Sequence, residues 1–441
     1  MSKILPTTKA QVSGHKFLVR RMQHALVLGD ISMIHDPLAS RRRALIFGIV
    51  AVLLIALGSG LLAWLRPDPD PGQAELLSSE QGQLYVRVDD VVHPVANLAS
   101  ARLILGKAAE PVTIGATALD DVSLGTPLGI VDAPLALSTP PQLEQLGPSQ
   151  PHLWAACLAQ PRFDEPPFIT SATRDMPQRG HELIVSVGHE LQPLAQPAAA
   201  YLSHQGRDWL VSTQGRALLP DADSADSADG RTIRRILKLD NPVDVPPEFL
   251  NAFTEAPPIE IPDFQLLRAG DELWAEVGSD IAEVTSTQAA ILAAAGATTR
   301  MVTHAELAES RTVSHPAIDV LPATVPSIVD SVQPGTSNED QDWLCADSEG
   351  SAVSLAPVKN AVELSGDSPA RYFTGLTGGA VAVDTGSGLH IIEETGRRHE
   401  LPDVEHVDAL GVAVHEAAWP IVRLLPEASP LTRESAVAAS Y

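Results

Sequence analysis

Three patterns of apolar and polar positions divide the chain. The plainest is "ALIFGIVAVLLIALGSGLLAWL", Ala44 to Leu65, 22 residues without a charge. At a rise of ~1.5 Å per residue, a helix of this length crosses a hydrocarbon core of ~30 Å, so the pattern predicts a transmembrane helix. Trp64 would suit its far interface. Ala56 with Gly60 offers a small-xxx-small face, which ordinary membrane-helix composition also produces. Upstream, "TTKAQVSGHKFLVRRMQHALVLGDI" places Leu18, Met22, Ala25 and Leu26 along one helical face, with Lys16, Arg20, Arg21 and His24 largely off it. This is a basic amphipathic helix, suited to an anionic inner leaflet or to a partner protein.

Downstream the period changes. "GQLYVRVDDVVHPVANLASARLILG", Gly82 to Gly106, alternates like a strand and then turns helical before a glycine. It recurs: "DELWAEVGSDIAEVTSTQAAIL" starts at Asp271, and Leu84, Tyr85, Val88, Val95 and Leu103 match Leu273, Trp274, Val277, Val284 and Leu292, each 189 residues on. "WLVSTQGRALLP" from Trp209 likewise resembles "LHIIEETGRRHELP" from Leu389, and "RTIRRILKL" and "VEHVDALGVAV" follow as expected helices. One plan of strand, tight turn, strand and helix thus occurs four times. Such a unit buries too little surface alone and has to pack on its neighbours.

These patterns predict an α+β chain: a cytoplasmic basic segment at 1–43, a membrane helix at 44–65, a Pro- and Asp-rich linker at 66–81, and four β-β-α repeats near 76–135, 203–262, 265–310 and 385–430. A central β domain would be assembled from 136–202 and 311–384, with strands at "HELIVSV" and "GGAVAVDT", and a polar tail would occupy 431–441.

Charge sets the orientation. Eight basic and two acidic residues precede Ala44, a net of +6 in a chain whose total is −25. Arg41, Arg42 and Arg43 abut the apolar run and acidic residues crowd beyond it, so the positive-inside rule puts residues 1–43 in the cytoplasm and the rest outside. A cleaved signal peptide would need a basic region of 43 residues, and no small-x-small site precedes "RPDPDPG" convincingly. The acidic bulk and the sparse basic residues disfavour nucleic acid. Cys157 and Cys345 both lie on the oxidising side, 188 residues apart and nearly at the repeat offset. A single disulfide is the economical reading and two buried thiols the alternative.

The chain lacks the common catalytic signatures. "LILGKAAE" lacks the first glycine and the hydroxyl of a phosphate loop, and no G-x-S-x-G occurs. "HEAAW" has Trp419 where a second zinc-binding histidine would stand. In "GHELIVSVGHEL" (His181, Glu182, His189, Glu190) the histidines sit at opposite ends of a strand unless the chain turns. "DADSADSADG", Asp221 to Gly230, has a period of three that does not match a calcium loop. No catalytic set, metal site or cofactor is expected.

Together "TTKAQVSGHKFLVRRMQHALVLGDISMIHDP", the arginine triplet, the single apolar helix and "LYVRVDDVVHPVANLASARLILG" resemble the EccB family, core membrane components of type VII (ESX) secretion systems. The likeness extends to "GTPLGIVDAPLAL" and "WLVSTQGRALLP". It implies an elongated extracytoplasmic region of repeat domains around a central β-sheet domain, with a disulfide within that central domain that Cys157 and Cys345 would form. It also implies assembly with an FtsK/SpoIIIE-like ATPase, a multispanning subunit and a further membrane component, and self-association is expected besides. Residues 7–36 would dock on cytoplasmic partners, making Phe17, Leu18, Arg20, Arg21, Met22 and Leu26 the docking candidates. The ATPase label that some relatives carry is not transferred, because no phosphate loop is present. The competing readings are a stand-alone envelope or peptidoglycan-binding protein and an envelope hydrolase.

Overall fold

The computed structural model describes residues 8–29, 37–65, 72–137, 154–159, 182–222, 228–329, 342–358 and 361–438. Residues 66–71 of the linker, His181, Asp223 and Asp226 of the acidic run, the Trp64 side chain and the last three residues lie outside this description. The chain divides into two compact units, Met1–Pro69 and Asp70–Tyr441.

The first unit is helical. Helix α1 (Lys9–Leu28) opens with a capping box: the Thr8 side chain accepts from the Gln11 N–H, and the Gln11 side chain accepts from the Thr8 N–H. Gly29, in the left-handed region at φ 67°, closes it. Helix α2 (Pro37–Leu65) contains Arg43–Leu62, 20 residues of mean hydropathy 2.7 and none of them buried. By length and composition this helix could cross a membrane. Ser59 donates its hydroxyl proton to the Ile55 carbonyl at 2.8 Å, so that polar group is satisfied within the helix.

The second unit is built from repeats. In the first, strands β1 (Leu76–Ser79), β2 (Leu84–Val88), β3 (Val91–Val95) and β4 (Val112–Ile114) form a sheet in the order β3-β2-β1-β4, with helix α3 (Leu98–Leu105) before β4. Strands β5 (Trp154–Ala159), β6 (Glu182–Val187) and β7 (Gln192–Pro193) follow, and then a second repeat of β8 (Ala198–His204), β9 (Arg207–Ser212), β10 (Gly215–Leu218), helix α4 (Ala228–Leu237) and β11 (Val243–Asp244). The third repeat comprises β12 (Gln265–Ala269), β13 (Glu272–Val277), β14 (Asp280–Glu283), helix α5 (Ser286–Ala294) and β15 (Thr299–Met301). Strand β16 (Ser327–Ile328) joins the second repeat's sheet beside β8. Strands β17 (Trp343–Asp347), β18 (Ala352–Leu355), β19 (Val362–Glu363) and β20 (Tyr372–Thr374) lead to the fourth repeat: β21 (Ala380–Asp384), β22 (Leu389–Glu393), β23 (Arg398–Leu401), helix α6 (Val404–Leu410) and β24 (Val414–Glu416).

Every repeat is therefore β-β-β-α-β, one strand longer at each end than the pattern suggested. The first and last strands pair in parallel, as Leu77 with Val112 and Val383 with His415 do, and this closes the helix onto the sheet. A returning strap bridges the third strand of all four repeats, at Leu124 and Leu128, Glu255, Thr312 and Glu427. Three sequence expectations change. The segment expected as a polar tail at 431–441 carries a short helix (Arg433–Val437) and buries Leu431 and Ala436 in the core of the first and fourth repeats. "GGAVAVDT" becomes β21 of the fourth repeat rather than a central strand, since alternation specifies a strand but not its partner. "VEHVDALGVAV" is not one helix: Gly411 caps α6 at φ 68°, and Val414–Glu416 continues as β24.

The central sheet has seven strands in the order β19-β20-β6-β5-β17-β18-β7. Its middle pair is antiparallel β5 and β17, one from each half of the duplication, with Cys157 opposite Cys345. The halves also exchange strands, β20 lying beside β6 and β7 beside β18. One face of this sheet packs on the second and fourth repeats through Leu158, Val185, Leu202, Phe249, Val383 and Ile421. The repeats pair crosswise. The first shares a core with the fourth (Leu103, Ile104, Ile391, Leu410), and the second shares one with the third (Leu237, Ile233, Ile291, Leu292). Each such buried aliphatic side chain contributes about 1.5–3 kcal/mol of transfer free energy.

Candidate functional site: docking helix, disulfide hub and repeat seams

The docking candidates share α1. Leu18, Met22 and Leu26 follow one another at helical spacing and are 59%, 63% and 81% exposed. Phe17 and Arg21 are half-buried and border this row, while Arg20 is exposed on the turn between them. No residue of α1 is buried. The helix thus presents an apolar row edged by guanidinium groups, with no core of its own to satisfy.

Cys157 and Cys345 are joined by a disulfide, and both are fully buried. Their side chains share a small core with Ile184, Trp343, Val353 and Tyr372 on the face of the central sheet away from the second and fourth repeats. The bond closes a loop across 188 positions of chain and ties the two halves at their meeting line.

The seams between repeats are polar at a few chosen atoms. Arg102, in the last turn of α3, is 8% exposed and reaches across to the fourth repeat. Its Nη1 donates to the Leu410 carbonyl at 2.6 Å, its Nε to the Ala109 carbonyl at 3.2 Å, and its Nη2 to Glu110 at 3.0 Å. The guanidinium therefore sits at the carbonyl ends of two helices, where the helix dipole favours a cation. Gly411 lies against it: an added Cβ would meet the Ala108 methyl at 2.7 Å. In the second repeat Arg234 pairs with Asp208 at 2.6 Å, and the Tyr201 hydroxyl donates to the same carboxylate at 2.7 Å. Burial and that hydrogen bond push the Tyr201 phenol up to about 12. Straps dock on equivalent helix starts. Asn97 donates to the Ile130 carbonyl at 2.7 Å in the first repeat, and Gln288 donates to the Ile318 and Leu321 carbonyls, each at 3.0 Å, in the third.

Among the described residues no group of three histidine, cysteine or carboxylate side chains is placed to hold a metal. Glu182 begins β6 and His189 lies two residues beyond its last residue, Val187, where it meets Thr374 at 3.4 Å. His415 is in β24, whereas Trp419 begins the next short helix (Trp419–Val422), so the pair does not share a helical turn. Asp229 lies in the first turn of α4. Sequence reasoning passed over Arg102 and Arg234. The available signal was a basic residue in the last turn of the first and second repeat helices, followed in the first repeat by the capping glycine Gly106.

Comparison with known proteins agrees with this architecture. The family model described as type VII secretion system ESX-1, transport TM domain B matches residues 4–440. The ESX-1 secretion system ATPase EccB1 of Mycobacterium tuberculosis (strain ATCC 25618 / H37Rv) is 28% identical over 479 aligned residues, covering 98% of this chain and 94% of that one. Among solved structures, an intact ESX-5 inner membrane complex contains a chain of TM-score 0.62 and 22% identity, covering 100% of this chain and 97% of its own. The EccB3 dimer from the ESX-3 core complex gives a TM-score of 0.61 at 20% identity, covering 83% of this chain and 100% of that one. With the family match spanning the amphipathic helix, the apolar helix and all four repeats, this chain belongs to the EccB family of type VII secretion systems.

Proposed function

We propose that this chain is a structural core subunit of an ESX secretion complex: α2 anchors it, α1 docks on components at the cytoplasmic face, and the repeat-bearing unit is an extracytoplasmic scaffold. The observation that carries the reading is the full-length family match on a chain that couples one uncovered apolar helix to a body of interlocked repeats. The arginines ahead of the apolar helix and the acidic bulk beyond it support the orientation. The scaffold divides by its sheets into four repeats around the seven-stranded centre, with the disulfide as the staple of that centre.

Partners follow from the resemblance: an FtsK/SpoIIIE-like ATPase, a multispanning subunit and a second copy of the chain. A related chain is described as a dimer within an ESX-3 core complex, which favours self-association. We read the protein as non-enzymatic, although its relatives are named ATPases. The sequence has no phosphate loop, and the folded body would face away from cellular ATP.

The test is a membrane extraction of L18D/M22D, two charges on the apolar row of α1, followed by native mass measurement. The wild-type chain should migrate in a large complex and the variant should lose the cytoplasmic-side components. Full comigration of the variant would remove α1 from the docking role. Phosphate release from ATP by the purified chain alone, above that of a denatured control, would overturn the non-enzymatic reading.

A further inference from the structure

The three buried histidines among the described residues all lie in the fourth repeat: His390 is 5% exposed, His399 0% and His415 4%. They occupy three of the four strands of one sheet, namely β22, β23 and β24. His390 and His415 flank Val383 in one register row, on the side of the sheet where Val383 packs against the central domain. His399 pairs laterally with Ile391, which belongs to the core shared with the first repeat. The repeat plan does not require histidine there. Aligned on the Gly-Arg turns (Gly215 and Gly396), His390 corresponds to Trp209 and His399 to Leu218.

None of the three has a place for an added proton. The His399 Nδ1 faces the Ser429 carbonyl at 2.9 Å, so that nitrogen carries the hydrogen, and Nε2 is left buried without a partner. A second N–H there would be buried with no acceptor. His390 stacks on Trp419 at 5.3 Å with its Nδ1 unpartnered, and Arg398 covers the other contact of that indole at 5.0 Å. Both ring nitrogens of His415 lack partners.

The charged surroundings do not compensate. Around His390 stand Arg398 and, across the strand pair, Glu400; the partly neutralising Glu427 is engaged by Arg398 at 3.3 Å. Around His399 stand Glu393, Arg397 and Asp132 of the first repeat's strap, which already accepts the Ser429 N–H at 3.1 Å. Next to His415 the register pair of Asp384 and Glu416 is exposed to solvent.

We propose that the fourth repeat is an acid-released clasp: protonation of His390, His399 and His415 loosens its seams with the central sheet and with the first repeat while the other repeats stay folded. Burial lowers all three imidazoles below the ordinary value, and His390, with Arg398 beside it, falls to about 4. The unfolded repeat then binds protons that the folded one refuses. Stability is full above 6.5 and is lost as pH falls toward about 4.

The test is hydrogen exchange of the intact chain in detergent micelles, taken from about pH 7.5 to about pH 5 with labelling times scaled for intrinsic exchange. Amides of β21 to β24 should lose protection at least roughly tenfold more than those of β8 to β10. The variant H390F, which keeps a ring against Trp419, should match wild type at the higher pH and lose much of the acid sensitivity. Equal protection at both pH values, or an equal loss in all four repeats, would overturn the proposal. So would a folded H390F that keeps the full acid sensitivity. Should that variant not fold, the wild-type comparison still decides.

Discussion

Replacing Arg102 with methionine tests whether the seam between the first and fourth repeats is held by hydrogen bonds to backbone rather than by an ion pair. Methionine preserves most of the apolar stem and removes the donors. The ion pair with Glu110 should matter little: that carboxylate's side chain is 83% exposed, and such pairs are worth about 0–1 kcal/mol. Ala109 is half-buried, and its carbonyl can turn to water. The Leu410 carbonyl is different, because Leu410 is fully buried and would lose its 2.6 Å donor. Orphaning such an acceptor costs about 1–3 kcal/mol. Losing a cation from a helix C-terminus adds about 0.3–1 kcal/mol. The sum for R102M is therefore about 1.3–4 kcal/mol, against at most about 1 kcal/mol for E110A. Urea unfolding of the full chain in detergent, followed by exchange of α3 and α6 amides, measures both. Equal costs for the two variants, or a cost for R102M below about 0.5 kcal/mol, would refute the reasoning.

Two further substitutions probe the hub. Exchanging Cys157 and Cys345 together for alanine should lower the unfolding midpoint, with about 5 kcal/mol as the upper loss from opening a loop of this length; an unchanged midpoint would mean the interlocked sheet alone holds the halves. Gly375, which follows β20 at φ 113°, leaves no room for a Cβ beside the Val187 carbonyl of β6. G375A should therefore break the exchanged pairing of β20 with β6 and sharply reduce the folded yield, read as detergent-soluble monodisperse protein; a normal yield would show that the strand exchange tolerates a shift of its edge.

The parts of this protein that announce themselves in sequence are those with one dominant period. Ala44 to Leu65 is long and apolar enough to read at once as a membrane-crossing helix, and Leu18, Met22 and Leu26 need only 3.6-residue spacing to share a face. The repeats are legible because duplicated sequence preserves core positions: Leu103 and Leu292 are 1% and 0% exposed, and Val95 and Val284 are 2% and 5%. Four-residue β1 and three-residue β4 are different. "LLSS" and "VTI" are too short to show alternation, and what makes them strands is a parallel partnership across an intervening helix. The same limit hid β16, two residues long and paired with β8 more than a hundred positions away. Arg102 and Arg234 were obscured for another reason. A basic residue in a helix's last turn is ordinary, and only the neighbouring helix end makes Arg102 a clamp.

The duplication explains why the body behaves as one unit. In each half the order is repeat, central strands, repeat, and the pairing crosses: the first repeat covers the last, and the two inner repeats cover each other. A half alone would therefore leave the apolar faces of both its repeat helices in water, and its central strands without β5·β17 pairing. Crossing also places the symmetric position of the arrangement at the antiparallel β5·β17 pair, where like residues from the two halves must face one another. Cys157 opposite Cys345 is the outcome of that geometry, since two equivalent cysteines reach bonding distance only beside such a centre, at a Cα separation of 4.0 Å. The disulfide then needs no special loop to bring its ends together. The repeat order has already done so, and what the bond adds is a restraint on the unfolded chain.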